Sequence, residues 1–383
     1  MNAYEKLESL NNRCKYIFNI IQKEGPLTKN ELMNKTGIKF TTLNRDMQIL
    51  IDSKIVAESA IAESTGGRRP VLYDVNPYGF YSVGVDISRT YTQIVITNLK
   101  INIVAEEIIN DNYNIDNIID ILPERLNNLF RKLKIESSMV AGIGIGIVKG
   151  FPIKSLNDRL IKEFGITAYI DNGENAAVIG EHFFGLGKDK DNIAYINCGV
   201  GIRTGVISSG VLIRTINNSE DAFGHMIVDI QGEPCSCGNL GCVESYTSIP
   251  RITEKFISEM KKDKKAFSSI AHKNLNEIDY RYVCSLAESN NNTAIDILLN
   301  SAKHFGIGLS NYIRLFNPQL IILSGPLVQY SQLFYDECKK IAIEKSHIKN
   351  NNISFSRGGY FKNKSIAVGA SVMAIENLIN SKL

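Results

Sequence analysis

The chain has 383 residues, 44% of them hydrophobic, which is material for two or three packed folding units. It contains no run of ~18 apolar residues, excluding a transmembrane helix, and its charged N-terminus lacks the apolar core of a signal peptide, so a cytoplasmic protein is expected. The net charge of +3, with 11 Lys+Arg against 9 Asp+Glu in residues 1–77, makes no case for nucleic acid from bulk charge.

Residues 4–24 read as one amphipathic helix, with Leu7, Leu10, Cys14, Ile17, Ile20 and Ile21 at helical spacing and Gly25-Pro26 as its stop. Thr28, with Glu31 three residues on, forms a capping box for a second helix that Thr36-Gly37 ends. A third helix runs from Phe40 to Ser53 with Leu43, Met47 and Leu50 on its inner face. A strand at 55–58, a Gly-Gly-Arg-Arg-Pro turn within 64–70 and a return strand at 71–75 complete the order of a winged helix-turn-helix.

In such a module the second helix of the pair enters the major groove, its N-terminal residues facing base edges. Here that helix offers Lys39, Thr41, Thr42, Asn44, Arg45 and Gln48 opposite its apolar stripe. Arg, Asn and Gln have the bidentate geometry that bases require, and Lys39 and Thr41 suit phosphate. Arg68 and Arg69 on the wing suit the negative potential of a narrow minor groove. The pattern, not the charge, predicts binding to double-stranded DNA.

Asn76-Pro77 marks a domain boundary, giving a DNA-binding domain over 1–77 and a second domain over 78–383. Strands are expected at 82–87, 91–98, 101–107 and 140–148, with a helix over 115–133. Strands and helices then alternate to the end, the texture of an α/β domain. The strand 193–198, with Gly199-Val200-Gly201 after it, opens a second half resembling the first. Two such halves form an actin-like or sugar-kinase-like arrangement.

Three of seven cysteines, Cys235, Cys237 and Cys242, fall within eight residues, and His225 lies ten residues ahead of them. In a reducing compartment such a cluster reads as a metal site rather than disulfides. Three thiolates and one imidazole satisfy the tetrahedral count of Zn²⁺, and a closed four-ligand site is structural. A zinc-binding loop is therefore expected over 225–242.

These residues together resemble the ROK family (repressors, open reading frames and kinases), in its branch of xylose- and N-acetylglucosamine-type repressors. The resemblance is carried by GHMIVDIQGEPCSCGNLGCVES at 224–245, the winged helix with its GGRRP wing, DNGENAAVIGE at 171–181 and RLFNPQLIILSG at 314–325. It covers essentially the whole chain. It implies a two-lobed actin-like ATPase fold, zinc, a sugar or sugar-derived effector bound between the lobes, and homodimers or homotetramers. Members with the DNA-binding domain are typically repressors of sugar-utilisation genes acting on operator DNA; members without it are typically ATP-dependent sugar kinases.

Against the kinase pattern the chain departs repeatedly. The family's first phosphate turn, Asp-x-Gly-Gly-Thr, reads Asp86-Ile87-Ser88-Arg89-Thr90, and Gly173 stands where the resemblance places the catalytic Asp. The second phosphate loop reads Gly199-Val200-Gly201-Ile202-Arg203, and the C-terminal Gly-Gly pair reads Gly325-Pro326. The sugar-binding Glu-x-Gly-His reads Ala222-Phe223-Gly224-His225, and the loop between Ile147 and Leu160 is short. Asn172, His225 and Glu244 are the retained ligand-binding positions. The expected function is a ROK-type regulator, a repressor of carbohydrate-related genes without enzyme activity. The alternatives are a glucokinase-like ROK sugar kinase and a ligand-independent regulator whose ROK domain serves oligomerisation.

Overall fold

The computed structural model describes residues 1–61, 70–110, 114, 117–148, 151–214, 222–262, 277–347 and 353–379. It divides into two compact units, Met1–Lys188 with Lys364–Leu383, and Asp189–Asn363.

The first unit begins with two helices where one is expected, α1 (Ala3–Glu8) and α2 (Asn12–Glu24). The break has a local cause: Asn11 takes an extended conformation and its side chain accepts the Cys14 amide. An asparagine carboxamide at that position satisfies a helix-start amide and so initiates a new helix rather than continuing the old one. The short β1 (Leu27–Thr28) leads into α3 (Lys29–Thr36), where Thr28 and Glu31 form the expected capping box and Gly37, at φ +67°, ends the helix. Then come α4 (Phe40–Asp52), β2 (Val56–Ile61) and β3 (Val71–Val75). The three strands form one sheet in the order β1-β3-β2, antiparallel throughout.

A second sheet of the same unit is built from β4 (Tyr81–Ile87), β5 (Thr92–Asn98), β6 (Ile103–Ile109), β7 (Val140–Ile147) and β8 (Ala168–Asn172), in the order β6-β5-β4-β7-β8. The first two pairings outward from β4 through β5 to β6 are antiparallel; those to β7 and on to β8 are parallel. The helices α5 (Ile118–Leu133), α6 (Ile153–Phe164) and α7 (Gly173–Phe184) connect or follow these strands.

The second unit repeats that plan. Its sheet, β11-β10-β9-β12-β13, comprises β9 (Ile193–Cys198), β10 (Ile202–Ser208), β11 (Val211–Leu212), β12 (Leu320–Ser324) and β13 (Ser354–Arg357). Again two pairings are antiparallel and two parallel. Its helices are α8 (Glu244–Thr247), α9 (Ile249–Lys262), α10 (Tyr280–Glu288), α11 (Asn292–Phe316), α12 (Pro326–Tyr330) and α13 (Gln332–Ser346). The duplicated mixed sheet is the actin-like architecture expected from the sequence.

The last helix, α14 (Ser365–Ile379), returns to the first unit and is buried along almost its whole length. It reaches the sheet through glycines: a Cβ at Gly84 or Gly144 would collide with the Ala367 or Ala370 carbonyl. Close backbone approach is what glycine permits there. At its other end Ile375, Leu378 and Ile379 join Phe80, Leu99 and Ala141 in one apolar cluster with Leu7, Ile17, Phe18 and Ile21 of the N-terminal helices. Gln22 Nε2 donates to the Leu99 carbonyl at 2.7 Å and Lys15 Nζ to the Leu378 carbonyl at 2.8 Å. The N-terminal helices thus share a core with the α/β sheet that follows them.

Among the described residues no helix is long and apolar enough to cross a membrane.

Candidate functional site

The α4 helix is held from behind. Asp46, fully buried, accepts two hydrogen bonds from the Arg13 guanidinium of α2, Nε at 2.7 Å and Nη2 at 3.2 Å. With Leu43, Met47 and Leu50 also buried, this two-pronged ion pair fixes the rotation of α4 about its axis. Lys39, Thr41, Arg45 and Gln48 are left exposed, with Thr42 and Asn44 partly covered. The polar residues assigned to bases are not equally available. Arg45 is 70% exposed, with Nε 3.9 Å from Asp46. Gln48 Nε2 donates to Asp52 Oδ1 at 2.8 Å. The Asn44 carboxamide oxygen is buried and has no hydrogen-bond partner among the described residues. The first amides of α4 lack the side-chain cap that α1, α2 and α3 have. The wing arginines Arg68 and Arg69 lie outside the described residues.

The cysteine loop is a tight fold in the second unit. The Cys235 amide donates to the Asn239 carbonyl and the Gly238 amide to the Cys235 carbonyl, while Gly238 and Gly241 take φ of +94° and +69°. That left-handed region favours glycine, and a Cβ at Gly241 would run into the Asp229 carbonyl. The chain then pairs back on itself through Ile227 with Cys242 and Pro234 with Leu240. As a result His225, Cys235, Cys237 and Cys242 bring their ligand atoms within 4.8 Å of one another. Cys235 Sγ is 3.5 Å from His225 Nδ1, and Cys237 Sγ is 3.7 Å from Cys242 Sγ. A tetrahedron with Zn–S bonds of ~2.3 Å has edges of about 3.8 Å, so the donor set fits zinc in number, chemistry and spacing. Burial pushes the Cys242 thiol up to about 12, and the Asn239 amide beside Cys237 draws its thiol down.

The loop is braced from below. Tyr246 accepts the Glu233 amide at 2.9 Å, donates to Asp229 at 3.2 Å, and stacks on His304 of α11 at 3.7 Å between nearly parallel rings. Nothing in the sequence pattern marks this brace, because its members are 58 residues apart on different helices.

The segments that resemble phosphate loops use several of their own amides internally. In the turn after β4, Ser88 Oγ accepts the Thr90 and Tyr91 amides, at 3.2 Å each, and the Ser88 amide donates to the Tyr91 carbonyl at 2.9 Å. The Tyr91 hydroxyl donates to Asp86 at 2.9 Å. After β9 the Gly199 amide donates to Gly201 and the Ile202 amide to Glu244, at 3.1 and 2.9 Å. Pro326, with no amide proton, is the first residue of α12.

Gly173 is the first residue of α7, and a Cβ there would stand 3.1 Å from Ile366 of α14. Neighbouring Asp171 accepts from the Asn172 amide and from Asn175 Nδ2, at 2.8 and 2.9 Å. The retained positions also carry structural bonds. Asn172 caps α7, its Oδ1 accepting the Asn175 amide at 2.6 Å. Glu244 holds the turn after β9 through Ile202, and His225 sits in the cysteine loop. The segment between Ile147 and Leu160 holds the start of α6 at Ile153, with 149–150 outside the described residues.

A model of the ROK family matches residues 82–377. A xylose repressor of Bacillus subtilis is 29% identical over 331 residues, covering 82% of this chain and 82% of that protein. A crystal structure of a ROK family transcriptional regulator, a homologue of the E. coli MLC protein, superposes with a TM-score of 0.79 at 20% identity, covering 98% of this chain and 97% of that one. A ROK hexokinase from Thermus thermophilus superposes with a TM-score of 0.64 at 18% identity, covering 77% of this chain and 98% of that one.

Proposed function

The chain belongs to the ROK family, and from that premise we propose that it is a DNA-binding transcriptional repressor of carbohydrate-related genes without kinase activity. One observation carries the reading. Where a ROK kinase needs open backbone amides for phosphate, those of Ser88, Thr90 and Tyr91 are spent inside their own turn, while the leading face of α4 stays open. The similarity to a xylose repressor across most of both chains supports the same assignment.

In this reading residues 1–77 are the DNA-binding domain and 78–383 the ROK domain. Lys39, Thr41, Thr42, Asn44, Arg45 and Gln48 face the major groove, and Arg68 and Arg69 the minor groove. Two copies of the recognition helix in a homodimer or homotetramer meet half-sites of double-stranded operator DNA one helical turn or a multiple apart. Zn²⁺ is held by His225, Cys235, Cys237 and Cys242, where it makes the folding of the loop depend on metal. The effector is a sugar or sugar-derived molecule, for which Asn172, His225 and Glu244 are the retained contacts.

The test is binding of the full chain to duplex DNA from its own upstream region, followed by fluorescence anisotropy alongside an ADP-release assay over a panel of sugars. Sequence-selective binding with no ADP release is expected. Turnover on any sugar would reverse the kinase assignment, and binding blind to sequence would remove the repressor.

A second reading has a specific observation in its favour. Asn172 and Glu244 each give an oxygen to a backbone amide, so both have structural duties that need no ligand. A regulator whose ROK domain only oligomerises fits that. A ligand that binds only the native state must raise its melting temperature; no rise across sugars and sugar phosphates would favour this second reading.

A further inference from the structure

The apolar stripe of α4 continues by spacing to Phe40, one turn ahead of Leu43. Leu43 is fully buried, yet Phe40 is 50% exposed. Phe40 is the first residue of the helix, where the stripe has run past the core it serves. Its neighbours at this end, Lys39, Thr41 and Arg45, are also exposed. A large aromatic ring half exposed at the leading edge of a recognition helix, with Lys39 beside it and Arg45 open further along, is placed to meet an apolar group on an anionic partner.

The major groove offers one such group. Among the four base pairs only those with thymine present a C5-methyl there, and apolar side chains read it by contact. The first residues of a recognition helix are the ones that reach base edges. Two of the polar alternatives on this helix are compromised: Gln48 is bonded to Asp52, and the Asn44 oxygen is buried. We propose that Phe40 is a specificity-determining residue that reads a thymine methyl in each operator half-site. The inference rests on the DNA-binding reading above and names what that site recognises.

The experiment starts by selecting duplexes from a random pool with the full-length protein. Each thymine of the selected site is then replaced singly by deoxyuridine, which removes only the methyl group. Wild type is expected to lose about 3–5-fold in affinity per half-site at one such position, the worth of one buried methyl. Phe40→Ala should bind the thymine and deoxyuridine duplexes equally at that position, and Phe40→Leu should keep part of the discrimination. Arg45→Ala should keep the full deoxyuridine response. Phe40→Ala should melt with wild type, since the ring is half in solvent.

If Phe40→Ala discriminates thymine from deoxyuridine as wild type does, or if wild type ignores the methyl at every position, the inference is wrong while DNA binding stands. A random pool from which folded protein enriches no sequence overturns the DNA-binding reading and this inference with it.

Discussion

At the scale of single residues, exposure decides what a substitution can reveal. Cys237 is exposed, so its replacement by serine should be nearly neutral if the thiol has no partner beyond the chain. As a metal ligand it behaves differently, because three ligands hold zinc far less well than four. We expect about one zinc per wild-type chain by elemental analysis and far less in Cys237→Ser, with a lower melting temperature although no buried contact has changed. Wild type without zinc would contradict the metal assignment. Gly173 gives the opposite lesson. Restoring a carboxylate there, Gly173→Asp, sets its Cβ against Ile366 and leaves the Ser88, Thr90 and Tyr91 amides spent. No ADP release is expected from that variant on any sugar, because a base without bound phosphate has nothing to assist.

At the scale of elements, α14 ties the N-terminal helices to the sheet. Lys23, at the end of α2, lies 3.4 Å from Glu376 Oε1 and 3.6 Å above the Phe183 ring of α7. Burial draws the Lys23 pKa below its ordinary value although Glu376 pulls it up. Both groups are largely withdrawn from water, so removing one strands the other. Lys23→Met should cost about 3–5 kcal/mol, the usual penalty for an uncompensated buried charge. Adding Glu376→Gln should recover part of it. Urea unfolding of the single and double variants measures both, and equal stability of the two would show that Glu376 finds compensation elsewhere.

At the scale of the whole molecule, a repressor must show an electrostatic component that bulk composition hides. The chain carries only +3. Binding through six or more phosphates nevertheless releases counterions, and affinity should fall by a factor of about 10³ or more between 50 and 200 mM salt. Anisotropy titrations across that range give the slope directly. A flat salt response with retained sequence preference would mean that base contacts alone hold the complex, against the placement of Lys39 and Thr41 on phosphate.

Much of this was readable before any coordinates. The capping box at Thr28 and Glu31, the Gly37 stop and the spacing of His225, Cys235, Cys237 and Cys242 are local signals, each satisfied within a few residues or one loop. Gly173 and the altered turn at 88–90 stood out only through the resemblance to the ROK family. Tertiary structure alone decided the remainder. Whether Phe40 is core or surface depends on where the packed layer beneath α4 ends, which periodicity does not state. That Arg45 is open depends on how Arg13 and Asp46 set the helix rotation, a contact across 33 positions. The bracing of the cysteine loop by Tyr246 and His304, and the anchoring of Lys23 on Glu376 more than 350 residues away, were invisible for the same reason. Sequence patterns report what a segment does to itself, and packing reports what distant segments do to each other.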